Sequence, residues 1–225
     1  HELANDAWKE GAENHQDNEG SFNDRRAAAA AAWTEWLPVR ENTFSSMLIY
    51  RQFAFGDLIN LMMLDTRLVG RGQPLDYFSL DAPTMEAIGG LVAQSRSTER
   101  ELLGTEQLAW LMNAFNQEAK WNVLGQQVLM SRMELPSSVM LAMFQLFKAT
   151  DEQKMDALLA VNNAIASYLA DPSSDTVKLP YNLDAWDGYY VERERVYEIA
   201  KASSGNFICL AGDTHNAWTS ELKDV

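Results

Sequence analysis

Two residues near the end of the chain have the types and the spacing of a metal-binding or acid–base site. Asp213 and His215 follow an apolar stretch that ends at Ala211 and a turn-forming Gly212. In an extended segment, residues two apart point to the same side. A carboxylate oxygen with an imidazole nitrogen then suits iron, zinc or manganese. An aspartate that caps a turn, with a histidine hydrogen-bonded to it, explains the triplet equally well, and the spacing leaves both interpretations open.

A second polar cluster ends another apolar stretch, in the sequence MLDTR at residues 63–67. The planar guanidinium of Arg67 can bind a phosphate through two parallel hydrogen bonds. It can equally form a structural ion pair with Asp65. Residue types alone do not decide between a catalytic and a structural arginine.

Two further stretches carry polar or aromatic groups with less specific patterns. In DAWDGYY, at residues 184–190, the aromatic side chains of Trp186 and Tyr189 could wall a substrate pocket, with Asp187 between them. The simpler interpretation of Asp187 is a helix cap. The opening HELANDAW places His1 and Asn5 among other polar residues, and composition alone indicates a solvated loop there.

The elements that must position these groups alternate between apolar strands and helices, which predicts an α/β architecture. The strand at 58–64 is almost wholly apolar, which indicates a sheet covered on both faces. In layered α/β folds the loops at the carboxyl ends of strands carry ligand sites, which favours the loop with Asp213. A short helical turn near 6–10 and a loop over 172–180 are also predicted. The predicted strands are 46–55, 58–64, 121–130 and 206–211, and the predicted helices cover the alanine run 27–32, 84–92, a segment capped by Thr105, 139–147, 152–169 and 191–203.

Composition limits the classes of function. The chain has 225 residues, 47% of them hydrophobic and 22% charged, which fits one large domain or two small ones. A net charge of −14 argues against nucleic-acid binding and against docking on an anionic membrane. It is also unfavourable for phosphate substrates, although bound metal cations invert the local field. No apolar run reaches the roughly 18 residues of a membrane span.

The single cysteine and the methionines carry little functional signal. Cys209 lies in an apolar strand, where we expect it to be buried and inert, and a lone cysteine excludes an internal disulfide. The methionines at 130, 133, 140 and 143 suggest either a flexible apolar lid or core packing. Because the chain begins at His1 without methionine, we expect a processed form or an excised piece, and the lack of a signal peptide says little about location.

Taken together, these stretches resemble the PhoD-like phosphatases, the alkaline phosphatase D family of metallophosphoesterases. The resemblance implies a layered α/β/β/α metallophosphoesterase-like sandwich, incomplete at its N-terminal side and shortened at its C-terminal side. It also implies one partial catalytic domain over residues 1–225, with residues 131–180 as a helical insert or lid. Five phrases carry the resemblance in the order of the family: HELANDAWKEGAENHQDNEGSF, FGDLINLMMLDTR, LLGTEQLAWL, DAWDGYYVERER and LAGDTHNAW.

The resemblance implies metal-dependent hydrolysis of phosphate esters. Iron and calcium are the expected metal ions, with zinc or manganese as alternatives. Asp6 stands where the family has the second of two asparagines, so Asn5 carries over better. The implied metal ligands are Asn5, Asp213 and His215, the implied catalytic residues are His1 and Arg67, and the implied substrate-binding residues are Asp187, Tyr189 and Trp186.

The implied substrates are small-molecule phosphate esters, both monoesters and diesters, and family members are typically periplasmic or extracellular. The family's early metal-binding aspartates precede the position of His1. We therefore expect this chain to be weakly active or inactive by itself. The alternative is a non-catalytic binding or packing domain that keeps the metallophosphatase fold.

Overall fold

The structure is a computed structural model that describes residues 7–38, 48–81, 84–214 and 217–223. Within these residues it is a mixed α/β fold built on one central sheet, as the alternation of elements predicted. The helices are α1 (Phe22–Trp36), α2 (Met85–Ser95), α3 (Gly104–Ala114), α4 (Ser137–Lys148), α5 (Lys154–Ala170) and α6 (Tyr190–Ala202), and the strands are β1 (Ala7–Trp8), β2 (Gly11–Ala12), β3 (Arg51–Phe55), β4 (Ile59–Met63), β5 (Trp121–Gln126), β6 (Glu134–Pro136), β7 (Lys178–Pro180) and β8 (Asn206–Ala211).

The central sheet has four strands in the order β3-β4-β5-β8. β3 and β4 form an antiparallel hairpin, and a turn that includes Gly56, with a φ of 60°, joins them. β4, β5 and β8 then run parallel to one another. The carboxyl ends of these three strands therefore lie at the same edge of the sheet, which is where the two polar clusters of the sequence begin.

One face of the sheet packs on helices and forms the main core. Met62 of β4 and Leu124 of β5 are fully buried on this face, and they cluster with Leu111 of α3 and Val196 of α6. Register places Met62 opposite Leu124 and Leu124 opposite Cys209, so the three strands present one continuous apolar surface to the helices. Burial at about 25 cal/mol per Å² of apolar area stabilises this layer.

The other face of the sheet is also apolar, but it is less covered in the described part of the chain. Leu61 of β4 is half-buried, and its partner Phe53 on β3 is 44% exposed. Leu210 on β8 is 56% exposed. The prediction that a strand as apolar as β4 is covered on both faces thus holds for the helix side, where Met62 is fully buried, whereas the opposite face keeps exposed side chains.

Helices α4 and α5 pack against each other as predicted, and a two-stranded sheet contacts α4. This sheet pairs β6 with β7, so the expectation of a loop over 172–180 is wrong for Lys178–Pro180. Met140 is 2% exposed and packs with Phe144 in a second apolar cluster, which favours core packing over a flexible methionine lid. An insert or lid role for residues 131–180 stays a prediction.

Two local features differ from the sequence expectations. The described residues near the start form the β1–β2 hairpin instead of a helical turn, and Trp8 pairs with Gly11 in it. α3 begins at Gly104, one residue before the predicted cap Thr105. A tertiary contact replaces the local cap, because the Glu192 carboxylate accepts hydrogen bonds from the backbone N–H groups of Leu102 and Leu103.

None of the described helices is long and apolar enough to cross a membrane.

Glu192 gives the fold a specific pH dependence. Burial raises its pKa above the ordinary 4.5, and the two backbone N–H groups oppose this shift only in part. The folded state therefore binds the proton more tightly than the unfolded state. The contribution of Glu192 to stability is fully present at low pH and is lost as the pH rises through the folded-state pKa.

We expect the free energy of unfolding of the unchanged chain to fall relative to that of Glu192→Gln as the pH rises above the ordinary carboxyl pKa of 4.5. Urea unfolding of both proteins at several pH values measures this difference, and the subtraction cancels the other titrating groups. A difference that does not change with pH would show that burial leaves the Glu192 carboxyl unperturbed.

Candidate active site

The candidate site lies at the edge where the parallel strands end. β4 leads into Asp65, Thr66 and Arg67, and β8 leads into Gly212 and Asp213. The Nη2 group of Arg67 donates a hydrogen bond to Oδ2 of Asp213 and forms an ion pair with it. Two residues that the sequence singled out 146 positions apart are therefore in direct contact.

Asp65 does not form the ion pair with Arg67 that the sequence suggested as an alternative. Its Oδ1 accepts hydrogen bonds from the backbone N–H groups of Arg67 and Leu68, at 2.8 and 2.9 Å. The side-chain amide of Gln107 bonds to the backbone of Asp65 through both its oxygen and its nitrogen. Asp65 thus shapes the turn after β4, and this turn directs the guanidinium of Arg67 toward other carboxylates.

The main partner of Arg67 is Asp184, a residue without a predicted role. Nη1 and Nη2 of Arg67 donate to Oδ1 and Oδ2 of Asp184 at 3.1 and 3.0 Å, in a parallel two-bond fork. Such forks are among the strongest polar contacts in proteins. The side chain of Arg67 is 5% exposed, while those of Asp184 and Asp213 are each 29% exposed. The arginine therefore lies beneath two partly accessible carboxylates.

A second arginine, Arg71, supports the same carboxylate from behind. It is fully buried, donates to a side-chain oxygen of Asp184, and bonds at 2.7 Å to the Asp184 carbonyl. The ring of Tyr189 contacts the guanidinium groups of Arg71 and Arg100, at 5.2 and 4.6 Å from its centroid. Cation–π contacts of this kind hold buried arginines in place.

The three predicted substrate-binding residues are core residues in the structure. Trp186 and Tyr189 are fully buried, and their polar atoms donate to Gln126 Oε1 and to the Gly72 carbonyl. Asp187 is 5% exposed, pairs with Arg193, and accepts a hydrogen bond from the backbone of Met133. A substrate pocket needs accessible side chains, so this placement corrects the prediction of an aromatic wall. Asp187 is not the cap of α6 either, because that position is held by Tyr189.

The charges in the cluster balance one another. Burial opposes the charge on Arg67, but Asp184 and Asp213 outweigh it and raise the pKa of the guanidinium. Burial lowers the pKa of Arg71, and Tyr189 and Asp184 offset part of that shift. Both arginines remain protonated because their ordinary pKa is far above neutrality. Two cations and two carboxylates thus form a compact network at the edge of the sheet.

Comparison with known proteins identifies the family to which the chain belongs. The family model described as PhoD-like phosphatase matches residues 1–225. The chain belongs to the PhoD-like phosphatase family. It is 30% identical over 203 residues to alkaline phosphatase D of Bacillus subtilis (strain 168), a match that covers 88% of this chain and 27% of that protein. The resemblance predicted from the five sequence phrases is confirmed.

A solved structure shows the same fold. The chain superposes on the structure titled "Structure of PhoD" with a TM-score of 0.62 and 29% identity, over 96% of this chain and 33% of that one. The mixed α/β architecture is therefore confirmed. The PhoD-like chain spans about a third or less of the relatives that it matches, so the activity of a whole phosphatase does not transfer to it directly.

PhoD-like phosphatases are metal-dependent in general. Of the predicted ligands only Asp213 lies among the described residues, whereas Asn5, His215 and the predicted catalytic His1 lie outside them. Within the described residues no group of three or more His, Cys, Asp or Glu side chains is placed to hold a metal ion. The Asp213 carboxylate instead pairs with a guanidinium. The donors described here do not fit a metal centre by themselves.

The cysteine of the PhoD-like chain takes no part in this network. Cys209 is half-buried on the helix side of β8, and the Gln126 amide lies 3.5 Å from its sulfur. Burial raises the pKa of its thiol to about 12, and Gln126 offsets only part of the shift.

We expect Cys209 to react slowly with a disulfide reagent at pH about 8, because the thiolate is the nucleophile. Unfolding in urea should accelerate the reaction by at least about tenfold as the pKa returns toward its ordinary value. Absorbance at the wavelength of the released thiolate follows both rates. Equal rates for the folded and unfolded chain would contradict the raised pKa of this thiol.

Proposed function

We propose that this chain forms part of the catalytic domain of a metal-dependent hydrolase of small-molecule phosphate esters. The contact between Arg67 and Asp213 at the carboxyl edge of the sheet carries the proposal. In a chain of the PhoD-like phosphatase family, it brings a candidate phosphate-binding cation next to a candidate metal ligand. We also propose that the hydrolase acts on both phosphate monoesters and phosphate diesters.

The role proposed for Arg67 is to bind a phosphate oxygen of the substrate. In phosphoryl transfer, negative charge is spread over the equatorial oxygens, and a fixed guanidinium stabilises it without reorganisation. In the structure the Nη2 group of Arg67 bonds to Asp213. A phosphate oxygen that binds this Nη2 group therefore replaces the Asp213 carboxylate there.

The metal ions and the remaining site residues are proposed by resemblance. Iron and calcium are the proposed ions, with zinc or manganese as alternatives, and Asn5, Asp213 and His215 are the proposed ligands. His1 is proposed to act near the phosphate, either by steadying the transition state or by protonating the leaving group. Because the described donors are too few for a metal centre, we propose that the chain by itself binds metal poorly and is nearly inactive.

Metal analysis combined with an activity assay tests this proposal. The purified chain is analysed for bound metal and assayed with an aryl phosphate, before and after iron and calcium are added, with Asp213→Asn as the matched control. We expect metal well below one ion per chain and turnover close to that of the control. Stoichiometric iron with robust turnover that the control lacks would overturn the proposed inactivity and would support a complete site.

The substrate class and the location need separate measurements. Rates on an aryl phosphate monoester and on the matched diester, measured with the full-length gene product, separate a phosphatase from a phosphodiesterase. We propose a periplasmic or extracellular location, which fractionation of the producing cell tests. Activity recovered only from the cytoplasmic fraction would contradict it.

A non-catalytic binding or packing domain is the second candidate function. The observation that favours it is that Asp213, the candidate metal ligand, already pairs with Arg67 in the described structure. The codons that precede His1 discriminate the two candidates. A strand that bears aspartates and a preceding Asp-Asp pair support the hydrolase, and their absence would favour the packing domain.

A further inference from the structure

We infer that Asp184 is a positioning residue, which holds Arg67 so that its Nη2 group can exchange between Asp213 and a phosphate oxygen. The inference rests on the proposed function, since the exchange matters only if a phosphate reaches this edge of the sheet. It assigns to Asp184 a role that neither its sequence neighbourhood nor the predicted ligand set contains. It also explains why a carboxylate lies beside an arginine that is proposed to bind an anion.

The geometry of the fork leaves the second hydrogen of Nη2 for exchange. Each of the two Nη groups has two hydrogens, and Asp184 takes one from each, at 3.1 and 3.0 Å. The second hydrogen of Nη2 goes to Oδ2 of Asp213. Replacing Asp213 with a phosphate oxygen thus leaves both bonds to Asp184 intact. The guanidinium keeps its orientation while its third bond changes partner.

The two carboxylates are anchored to different extents. Asp184 bonds to Arg71 through a side-chain oxygen and through its carbonyl, and its backbone N–H donates to Asn182 Oδ1 at 2.9 Å. Arg71 in turn donates to the carbonyl of Thr66, the residue before Arg67. The carboxylate of Asp213 has Arg67 as its contact among the described residues, on a backbone with a φ of 63°. Asp184 is therefore the fixed partner and Asp213 the exchangeable one.

Asp184 also allows two guanidinium groups to lie close together. Arg67 and Arg71 both contact its carboxylate, and each is almost completely buried. Like charges in a site of low dielectric repel one another strongly. Without Asp184, we expect Arg67 to lose its fixed orientation even if the rest of the fold persists.

Nuclear magnetic resonance of the arginine side chains tests the inference without any need for activity. A guanidinium in a two-bond fork rotates slowly about its C–N bonds, so its Nη groups give separate signals instead of one averaged signal. We expect separate Nη signals for Arg67 in the unchanged chain. They should persist in Asp213→Asn and become averaged in Asp184→Asn. Asp175→Asn is the matched control, because Asp175 bonds to Ser137 and Ser138 and has no arginine partner among these bonds.

Averaged Arg67 signals in the unchanged chain, or separate signals that survive Asp184→Asn, would overturn the positioning role. If Asp184→Asn does not fold, the spectrum of Asp213→Asn still shows which carboxylate holds the Arg67 guanidinium. Averaging there would show that Asp213, and not Asp184, holds the guanidinium.

Titration with inorganic phosphate then tests the binding of phosphate by Arg67 separately from the positioning of Arg67 by Asp184. In Asp213→Asn, which lacks the competing charge, phosphate should shift the Arg67 signals at a concentration about tenfold lower than in the unchanged chain. A locked fork with no response to phosphate in either protein would support the positioning of Arg67 and contradict its proposed role as a phosphate ligand.

Discussion

Replacing Asp187 with alanine is expected to lower the free energy of unfolding by about 3–5 kcal/mol, one of the largest effects of any single change in this chain. The replacement leaves Arg193, which is fully buried, without its main carboxylate partner. It also removes the acceptor for the backbone N–H of Met133, at 3.0 Å. A buried charge without compensation costs far more than the ion pair itself contributes. Urea unfolding followed by tryptophan fluorescence measures the loss.

Two controls separate this mechanism from a general effect of losing a charge. Lys154→Met removes one partner of an exposed ion pair with Asp151, and we expect a change of at most about 0.5 kcal/mol. The double replacement Asp187→Leu with Arg193→Met removes both buried charges, and it should recover a large part of the lost stability. A double variant as unstable as Asp187→Ala would show that the loss does not come from the stranded charge of Arg193.

Replacing Arg67 with lysine in the full-length gene product is expected to lower kcat/KM for an aryl phosphate by about 10²–10³-fold. Lysine keeps the positive charge, but it is a point charge that lacks the planar fork, so it cannot form the parallel two-bond fork with Asp184 while it binds a phosphate oxygen. Steady-state kinetics with a melting curve on the same sample separates lost catalysis from lost fold.

Arg132→Lys is the matched control for this change. Arg132 also pairs with a carboxylate, Glu194 at 2.9 Å, and it is partly buried. Its carboxylate partner is Glu194 and not Asp184 or Asp213, so we expect kcat/KM to stay essentially unchanged. An Arg67→Lys enzyme that is as active as this control would contradict the phosphate-binding role of Arg67.

Periodicity and apolar runs in the sequence predicted most of the elements, because burial of these runs determines them. The strand at 58–64 and the final strand at 206–211 appear as β4 and β8, and the helical pair appears as α4 and α5. The predicted cap at Thr105 is wrong for a physical reason. A distant carboxylate, Glu192, accepts the two backbone N–H bonds just before that helix. Tertiary contacts of this kind have no local sequence signal.

The candidate site was also predicted only in part, because some of its residues come together through tertiary contacts. Arg67 and Asp213 were recognisable, since each follows an apolar strand at a point where a layered fold carries its ligands. Asp184 and Arg71 were missed as parts of the site, because Asp184 meets Arg67 from 117 residues away. The only available signal was a carboxylate in a motif whose neighbours Trp186 and Asp187 drew attention as pocket residues. The side chains of Trp186 and Asp187 are buried in the core instead, which the residue pattern alone did not distinguish.

Hydrolysis of an aryl phosphate by the full-length gene product, with His215→Ala compared with the unchanged protein, tests most directly whether this chain carries part of a phosphoesterase site. Asp213→Asn serves as a second variant, and metal content and melting temperature are measured on every sample. We predict that His215→Ala abolishes turnover, by at least about 10³-fold, while the fold is retained. Retention of most of the activity in His215→Ala would contradict the assignment of the edge of the sheet at Asp213 as the catalytic centre.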